Sequence, residues 1–346
     1  MKFRAHPGET TMIEIRPSVA ILGAGMAGVT AARALAERGY PVSLFEKNGC
    51  VGGRMASRRE GECLFDHGCQ FFTVRNERFR NRVESWREQG LVSVWEHRMA
   101  ASDRGQITLL QDDAVRYVGV PGMDAMLRGI ANEVHTQLDT LITRVERTPD
   151  GGWTLVSAQG PLPDEYEIVI VATSAEQAAP LLASSPLLSG RAASVRMQAC
   201  WAALVAFEFE LETAFDAAFV RNSPLVWIAN GGSKPGRAER EAWVLHASPI
   251  WSREHLEEDP DRVKELLLHS FCEAVGIGDV RPARLLAHRW RSAAPANALG
   301  TGFLWDDELA LGAIGDWCSN PRVENAFLSG LAIADHLLAQ RPRAAL

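Results

Sequence analysis

The sequence predicts a protein of mixed α/β and α+β class, in which a parallel α/β domain is interleaved with a domain built on a mainly antiparallel β-sheet. Three observations lead to this prediction. An apolar strand, a glycine-rich turn and a helix lie near residue 18. Several β-like segments follow one another between residues 175 and 290. A strand and a strong helix come after residue 309, so signals of the first domain lie at both ends.

The first domain opens with a βαβ pattern. Residues 18–22 are a short apolar run ending in glycine, which is typical of a buried parallel strand. Residues 26–38 carry the small and apolar side chains of a close-packed helix, and Gly39 ends it. Residues 41–46 form a second strand, which completes a unit of about 30 residues.

The remaining elements are assigned by periodicity and turn residues. For the first domain, we expect a helix over residues 121–134, two antiparallel strands within 142–156, a buried strand over 168–172, a strand over 309–314 and a helix over 321–339. For the second, we expect an amphipathic helix before residue 95, strands over 202–209, 223–229, 243–247 and 285–290, and a helix over 260–275.

These elements set the expected domain boundaries. Residues 17–75, 120–175 and 300–342 form the first domain, residues 76–119 and 176–299 form the second, and residues 1–16 form a tail.

Composition excludes several classes of protein. The chain is 47% apolar and 23% charged, as in soluble globular proteins, and its net charge of −7 gives no basic surface for nucleic acid. The longest charge-free stretch, residues 17–32, is shorter than the about 18 residues of a membrane helix. Six cysteines without metal-ligand spacing indicate reduced thiols, no metal, and the cytoplasm as compartment.

The most informative motif is the turn Gly-Ala-Gly-Met-Ala-Gly between the first strand and the first helix. Gly23 permits the tight turn, Gly25 lets the backbone approach a pyrophosphate, and Gly28 allows close contact between helix and strand. Glu46 follows Gly28 by 18 residues, at the spacing of an acid that accepts ribose hydroxyls. The pattern therefore predicts a Rossmann-like dinucleotide site, and the carboxylate disfavours a 2′-phosphate there.

Three further features favour FAD over NAD, and each has a plainer alternative. Gly53 and Arg54 are suited to approach and bind a diphosphate, although Arg54 is also compatible with a surface arginine. Residues 66–72 mix glycine, amide and aromatic groups, as in a loop that lines a flat ring or one that plugs the core. Near the C-terminus, Asp316 is followed by Asn320 and Pro321, a predicted N-cap and first residue of a helix that either faces a flavin or only docks on the fold.

These residues together resemble the flavoprotein superfamily with two dinucleotide-binding motifs that includes the monoamine oxidases. More narrowly, the chain resembles the bacterial renalases through the stretches VAILGAGMAG, GGRMASRR, FDHGCQFFT, NSPLVWIANGGSKPGR, WVLHASPIWS, AHRWRSA and GDWCSNPRVENAFLSG. Motifs and resemblance imply noncovalent FAD and give these expected contacts: Gly23, Gly25, Met26, Ala27, Gly28, Glu46, Lys47, Gly53, Arg54, Gln70, Phe71, Ile142, Asp316, Arg322 and Val323.

One departure from the amine oxidases concerns a lysine. The resemblance implies that they place a lysine near flavin N5, on a strand similar to residues 198–207 here. This chain has no lysine on that segment. Cys318 also stands at a different position from the cysteine that tethers FAD in some amine oxidases. Both points argue against simple amine oxidation.

The resemblance to renalases implies an activity: oxidation of the 2- and 6-dihydro isomers of NAD(P)H to NAD(P)⁺, with hydride transfer to flavin N5 and reduction of O₂ to H₂O₂. Such a donor needs no general base, because its ring nitrogen expels the hydride and the product is aromatic. The partners expected are thus a small dinucleotide and O₂, and the sequence leaves the oligomeric state open.

Candidate substrate residues lie in the family-specific stretches. Trp227 and Trp290 would stack a ring or fill the core, His246 would bind substrate or be a satisfied buried histidine, and Arg289 would bind substrate or be a charge at a strand edge. Lys234 and Arg237 would attract phosphates or form a solvated basic turn. Two other functions also stay open: a flavin amine oxidase or dehydrogenase, and a non-catalytic sensor of flavin or nucleotide.

Overall fold

The structure is a computed structural model that describes residues 16–111, 113–238 and 240–340. The predicted tail lies outside this range except for its last residue. The helices of the described residues are α1 Met26–Ala36, α2 Glu77–Glu88, α3 Met123–Ala131, α4 Ala175–Leu181, α5 Pro186–Ala193, α6 Pro249–Glu254, α7 Pro260–Val275 and α8 Val323–Ala339.

The strands that the structure defines over the same residues are β1 Val19–Leu22, β2 Val42–Phe45, β3 Arg58–Glu60, β4 Cys63–Phe65, β5 Val92–Val94, β6 Met99–Asp103, β7 Gln106–Leu109, β8 Tyr117–Gly119, β9 His135–Gln137, β10 Ile142–Arg147, β11 Trp153–Ser157, β12 Gly160–Tyr166, β13 Ile168–Val171, β14 Met197–Ala206, β15 Ala217–Arg221, β16 Leu225–Asn230, β17 Ala242–Ala247, β18 Arg284–Pro295, β19 Leu304–Asp306 and β20 Leu311–Ala313.

The first large sheet has six strands in the order β19-β20-β13-β1-β2-β9. All its neighbours are parallel except β19, which pairs antiparallel with β20 at the edge. Strands β1 and β13 are buried along their whole length, as expected for central strands covered on both faces. Strands from the first and the last part of the described chain therefore meet in one mostly parallel sheet, in agreement with the predicted fold class.

The second large sheet has seven strands in the order β18-β14-β17-β16-β15-β6-β7. Its pairs are antiparallel except β15 with β6, so this sheet is mainly antiparallel. Helix α7 covers one face through Val263, Leu267 and Phe271, which are fully buried. The opposite face is left for contact with the first sheet's layer. The predicted mixed fold class is confirmed.

Three helices pack elsewhere than the predicted domain boundaries place them. Helix α2 packs on α8, with the rings of Phe79 and Phe327 5.0 Å apart, although its residues were assigned to the second domain. Helices α4 and α5 join the hydrophobic core beside β13 of the first sheet. The reason is the same for all three helices. Their apolar faces pack on elements of the first domain, and the periodicity of a helix does not show which domain it packs on.

Candidate cofactor and substrate site

A cavity of about 1880 Å³ lies between the two large sheets and is lined by residues from both ends and from the middle of the chain. Sites for drug-sized ligands have volumes of about 300–1000 Å³. The cavity is therefore large enough for a dinucleotide together with a second ring system.

The glycine turn lines part of this cavity. Gly23 has a φ of +110°, which disfavours any side chain, and a Cβ at Gly28 would strike the carbonyl oxygen of Gly23. A Cβ at Gly25 would meet open space. Helix α1 starts at Met26 with no side-chain cap from the described residues, so its first N–H groups are available to an anion. Gly23, Gly25, Met26 and Ala27 line the cavity, whereas Gly28 serves packing.

Glu46 lies beside this turn and is 5% exposed. Its carboxylate accepts from the Ala24 N–H at 3.0 Å and from the backbone and side chain of Asn48 at 3.0 and 2.8 Å. Glu46 thus holds the turn and keeps acceptor capacity on the cavity side, where Lys47 and Ile142 also lie. The contact with Asn48 was not predicted, because the dinucleotide pattern has no requirement at that position.

Arg54 and Asp316 join the two ends of the chain. The guanidinium donates to the two carboxylate oxygens at 2.9 and 2.6 Å and to the Ala293 carbonyl at 3.1 Å. Gly53, at a φ of +54°, brings the backbone next to Gly25. Arg54 is therefore not a free surface arginine. These contacts use three of the five guanidinium N–H donors, so the predicted contact with phosphate is left to Nε–H and to the second N–H of Nη2.

Helix α8 begins later than predicted. Arg322, with φ −149° and ψ 149°, is the residue before the helix, so Asn320 and Pro321 are not its N-cap and first residue, and that prediction is wrong. The extended backbone at Arg322 prevents an earlier start. No side chain of the described residues caps α8, and Arg322 and Val323 line the cavity. Its unsatisfied N–H groups can receive a negatively charged ligand group.

The loop over residues 66–72 lines the cavity through His67, Gly68, Cys69, Phe71 and Phe72, while Gln70 turns away from it. Asp66, behind the loop, is fully enclosed with Lys234 and Arg237. The Lys234 ammonium donates to Asp66 Oδ2 at 2.9 Å, to the Gln70 carbonyl at 2.8 Å and to Gln70 Oε1 at 3.0 Å.

This buried cluster corrects two predictions. The Gln70 amide is used by Lys234 and by the Asp66 carbonyl, so it braces the loop where a cofactor contact was expected. The side chains of Lys234 and Arg237 are 0% and 2% exposed, so they form neither a solvated basic turn nor an accessible phosphate site. Burial alone would raise the pKa of Asp66, but Lys234 and Arg237 lower it to about 2. Burial lowers the pKa of Lys234 to about 8.

The face of the second sheet that meets the cavity carries five residues in direct register across five strands. The pairs are His288 with Ala202, Ala202 with His246, His246 with Trp227, and Trp227 with Phe219. We call these five residues the ring row. Directly opposite residues share a face, so the rings of the row lie on one surface. Trp290, two residues beyond His288 on β18, is on the same face.

His67 connects the loop to this surface, a role that the sequence did not predict. Its carbonyl accepts from Trp290 Nε1 at 2.9 Å and lies 3.1 Å from His246 Nε2, and its ring stacks on Trp290 with centroids 5.1 Å apart. Burial, with His288 adding to it, lowers the pKa of His67 to about 4, and burial lowers the pKa of His246 to about 4. Both imidazoles are therefore neutral at pH 7, and the Nε2 of His246 is the protonated nitrogen because a carbonyl only accepts.

Two of the substrate candidates differ in their surroundings. Trp227 is 7% exposed, lies 5.5 Å from the Phe71 ring, and its Nε1–H has no partner in the part of the chain that the structure describes. Arg289 lies on the face of β18 opposite Trp290, where its guanidinium donates to the Leu256 carbonyl at 2.6 Å and lies over the Trp201 ring. Strand alternation separates them, so Arg289 supports the rim of the cavity and its side chain is bound to protein.

Neither a metal centre nor a membrane span is found in residues 16–111, 113–238 and 240–340. No group of three or more His, Cys, Asp or Glu residues could hold a metal ion there, and no helix is long and apolar enough to cross a bilayer.

Comparison with known proteins gives a local and a global likeness. Residues 21–86 match the model of an NAD(P)-binding Rossmann-like domain. Over 50 residues the chain is 46% identical to a 4,4′-diapophytoene desaturase of Staphylococcus haemolyticus, and over 54 residues it is 44% identical to a 1-hydroxycarotenoid 3,4-desaturase of a Flavobacterium species. These matches cover 14% and 16% of this chain, and the chain spans about a tenth of the length of these relatives.

The global likeness is to solved oxidase structures. The fold is similar to a proposed protoporphyrinogen oxidase from Exiguobacterium, with a TM-score of 0.77, 12% identity, and coverage of 94% of this chain and 99% of that one. A cyclohexylamine oxidase from Brevibacterium oxydans has a TM-score of 0.73 and 15% identity, with coverage of 93% of this chain and 98% of that one. A putrescine oxidase has a TM-score of 0.71 and 13% identity, with coverage of 94% of this chain and 99% of that one. At these identities the likeness establishes the fold. The turn, the acid beside it and the two uncapped helix ends fit a noncovalent FAD.

Proposed function

We propose that this chain is an FAD-dependent oxidoreductase of the renalase type, which oxidises the 2- and 6-dihydro isomers of NAD(P)H. In the overall reaction the donor, O₂ and one proton give NAD(P)⁺ and H₂O₂. Bound FAD would supply the redox chemistry, which is acceptance of the hydride and reduction of O₂. The remaining steps of binding, orientation and water exclusion fall to the residues of this chain.

The observation that carries the proposal is the ring row. Three of its members, His288, His246 and Trp227, bring two imidazoles and an indole to the cavity lining, and no member of the row is a lysine or a carboxylate. A flat dihydropyridine can stack on such a surface. A proton acceptor is not required, because the donor's own nitrogen expels the hydride as the ring becomes aromatic.

Residues within the row and beside it would orient the donor and keep water out. The Nε1–H of Trp227 is a buried donor with no partner among the residues that the structure describes, so it would gain from an acceptor on the substrate, such as a carboxamide oxygen. His67 fixes Trp290 and His246 through its carbonyl, which holds both rings in place before substrate arrives. Such preorganisation lowers the entropic cost of reaching the reactive geometry.

The cofactor would be held by both ends of the chain. We expect the pyrophosphate at the start of α1, the adenosine ribose at Glu46, and the flavin near the start of α8, where the helix end favours negative charge on the ring. The carboxylates in the cavity lining are Glu46, Glu176 and Asp316. Asp316 is paired with Arg54, and Glu176 accepts from Ser292 at 2.8 Å, which leaves no carboxylate on the ring row itself.

A second candidate is amine oxidation, since two of the similar structures are a putrescine oxidase and a cyclohexylamine oxidase. Strand β14 carries no lysine, and Lys234 is engaged behind the loop with Asp66 and Gln70. Both observations argue against amine oxidation, and the test below compares amines directly with the proposed donors.

The test is anaerobic reduction of the purified protein. After a flavin spectrum is confirmed, NAD reduced by borohydride is added as the source of the 2- and 6-dihydro isomers, beside separate samples with 4-dihydro-NADH, putrescine and cyclohexylamine. We expect rapid bleaching by the borohydride product and slow or no bleaching by the others. Bleaching by the amines alone would establish the second candidate, and bleaching by no donor would favour a flavin or nucleotide sensor.

A further inference from the structure

The buried ammonium of Lys234 lies behind the wall of the cavity and is not used by the proposed chemistry. Its side chain is 0% exposed, and its three hydrogen bonds reach Asp66 and two oxygens of Gln70. Enclosing a lysine is costly unless its charge is paired and its donors are satisfied. The arrangement meets both conditions, so Lys234 is a built part of this wall.

The wall that Lys234 braces is the place where the two domains meet at the cavity. Gln70 lies between Cys69 and Phe71, which both line the cavity, and the Phe71 ring contacts Trp227 of the ring row. Both oxygens of Gln70 bind the ammonium. The position of Phe71 against Trp227 thus depends on Lys234 through a single residue.

The cluster behind the wall also carries an excess of positive charge. Asp66 is one anion between two cations, Lys234 and Arg237, and it further accepts from Ser57 Oγ at 2.7 Å and from the Met123 N–H at 3.1 Å. Water does not screen a field inside such an enclosed cluster as it does at a surface. One net positive charge therefore acts on the cavity from behind residues 69–71.

We propose that Lys234 is a positioning residue that fixes the Cys69–Gln70–Phe71 wall and supplies a buried positive charge favouring the reduced, more negative state of the cofactor. This inference rests on the proposed function, because it requires bound flavin. It assigns no proton transfer to Lys234, whose three donors are all used within the cluster.

The test compares Lys234→Met, Lys234→Gln and Lys234→Arg with the wild-type protein, and its readout is the two-electron midpoint potential of the bound flavin. Removing Lys234 leaves Asp66 paired with Arg237, so the carboxylate is not left alone. We expect Met and Gln to lower the equilibrium constant for flavin reduction about tenfold or more, which is about 30 mV for a two-electron couple. Arg should restore at least half of that shift, because it keeps the charge.

The outcomes separate this inference from the proposed function. A wild-type protein without a flavin spectrum would overturn both. Flavin bound in every variant with equal potentials would overturn the role of Lys234 alone. If neither uncharged variant retains FAD, the midpoint potential of the flavin in Arg237→Gln tests the electrostatic role. This change removes one cation from the same cluster and leaves the three hydrogen bonds of the Lys234 ammonium. An unchanged potential in Arg237→Gln would overturn the electrostatic role.

Discussion

The glycine turn and the ring row, which both contribute residues to one cavity, are built in different ways. The turn is made by residues within a few positions of one another, and its geometry follows from where side chains are absent. The ring row draws its residues from five strands that lie between Ala202 and His288 in the sequence. Only the register of the sheet brings them together.

This difference explains how the turn and the ring row can serve different purposes, the turn for the cofactor and the row for the substrate. A backbone turn with a helix end recognises phosphate, a group common to every dinucleotide, and needs no particular side chain. A surface of rings recognises the shape and polarity of a ligand, so a substitution in it can change the preferred substrate without changing the turn. Substrate preference should therefore depend on the ring row, and cofactor binding on the turn.

The largest expected effect is at Gly28. Its added Cβ in Gly28→Val meets the Gly23 carbonyl and approaches Ala172 Cβ, and a backbone carbonyl has no room to yield. We expect a loss of more than about 3 kcal/mol in the free energy of unfolding, and no retained FAD. Denaturant unfolding and the flavin spectrum measure both. Stable protein with bound FAD would contradict this packing role.

The next effect concerns the neutral histidines. The pKa of His67 and of His246 falls from 6.5 to about 4 on folding, so between these values the unfolded chain binds protons that the folded chain does not. The contribution of these neutral imidazoles to the free energy of unfolding is full above pH 6.5. It is lost as the pH falls toward 4, by up to about 3 kcal/mol for each imidazole. Asp66, whose pKa falls from 3.8 to about 2 on folding, keeps its full contribution to stability over this pH range and loses it only below pH 3.8. Unfolding between pH 4.5 and 7.5 measures the slope.

Two matched variants show whether His67 causes this dependence of stability on pH. His67→Phe keeps a ring against Trp290 and should flatten the dependence, whereas the same change at His269, whose side chain is 65% exposed, should leave it unaltered. An equal slope in the two variants would show that His67 is not held neutral.

A smaller effect is expected at Gly25, which separates cofactor binding from folding. The Cβ of Gly25→Ala meets no protein atom within 4 Å, so stability without FAD should be nearly unchanged, while the methyl group occupies the approach of the pyrophosphate. We expect the Kd for FAD to rise about tenfold, or about 1.4 kcal/mol. Gly190→Ala in α5, which also meets open space, is the control and should leave the Kd as it is. Equal Kd values in the two variants would place the pyrophosphate elsewhere.

The sequence predicts those parts of the fold that local chemistry decides. Helix α7 has the predicted bounds, because Asp259 caps its start and Gly276, with a φ of +77°, ends it. Helices α4 and α5 were missed, since they are short and their stability comes from packing beside β13. In the site, the turn and Glu46 could be found by spacing. The pair of Lys234 with Asp66 could not, because 168 residues separate the partners and no periodicity links them.

The smallest effect, and the one that bears most directly on substrate, is expected within the ring row. Trp227 lines the cavity and its neighbour Phe219, 4.9 Å away between ring centroids, is 42% exposed and does not line it. Trp227→Leu removes the indole ring and its Nε1–H, so we expect the rate of anaerobic flavin reduction at low donor concentration to fall about two- to tenfold, from about 0.5–1.5 kcal/mol of ring contact. The midpoint potential should stay within error, since no charge changes. Phe219→Leu should reduce the rate much less. If both variants slow reduction equally, the row acts as packing and the donor binds on another surface of the cavity.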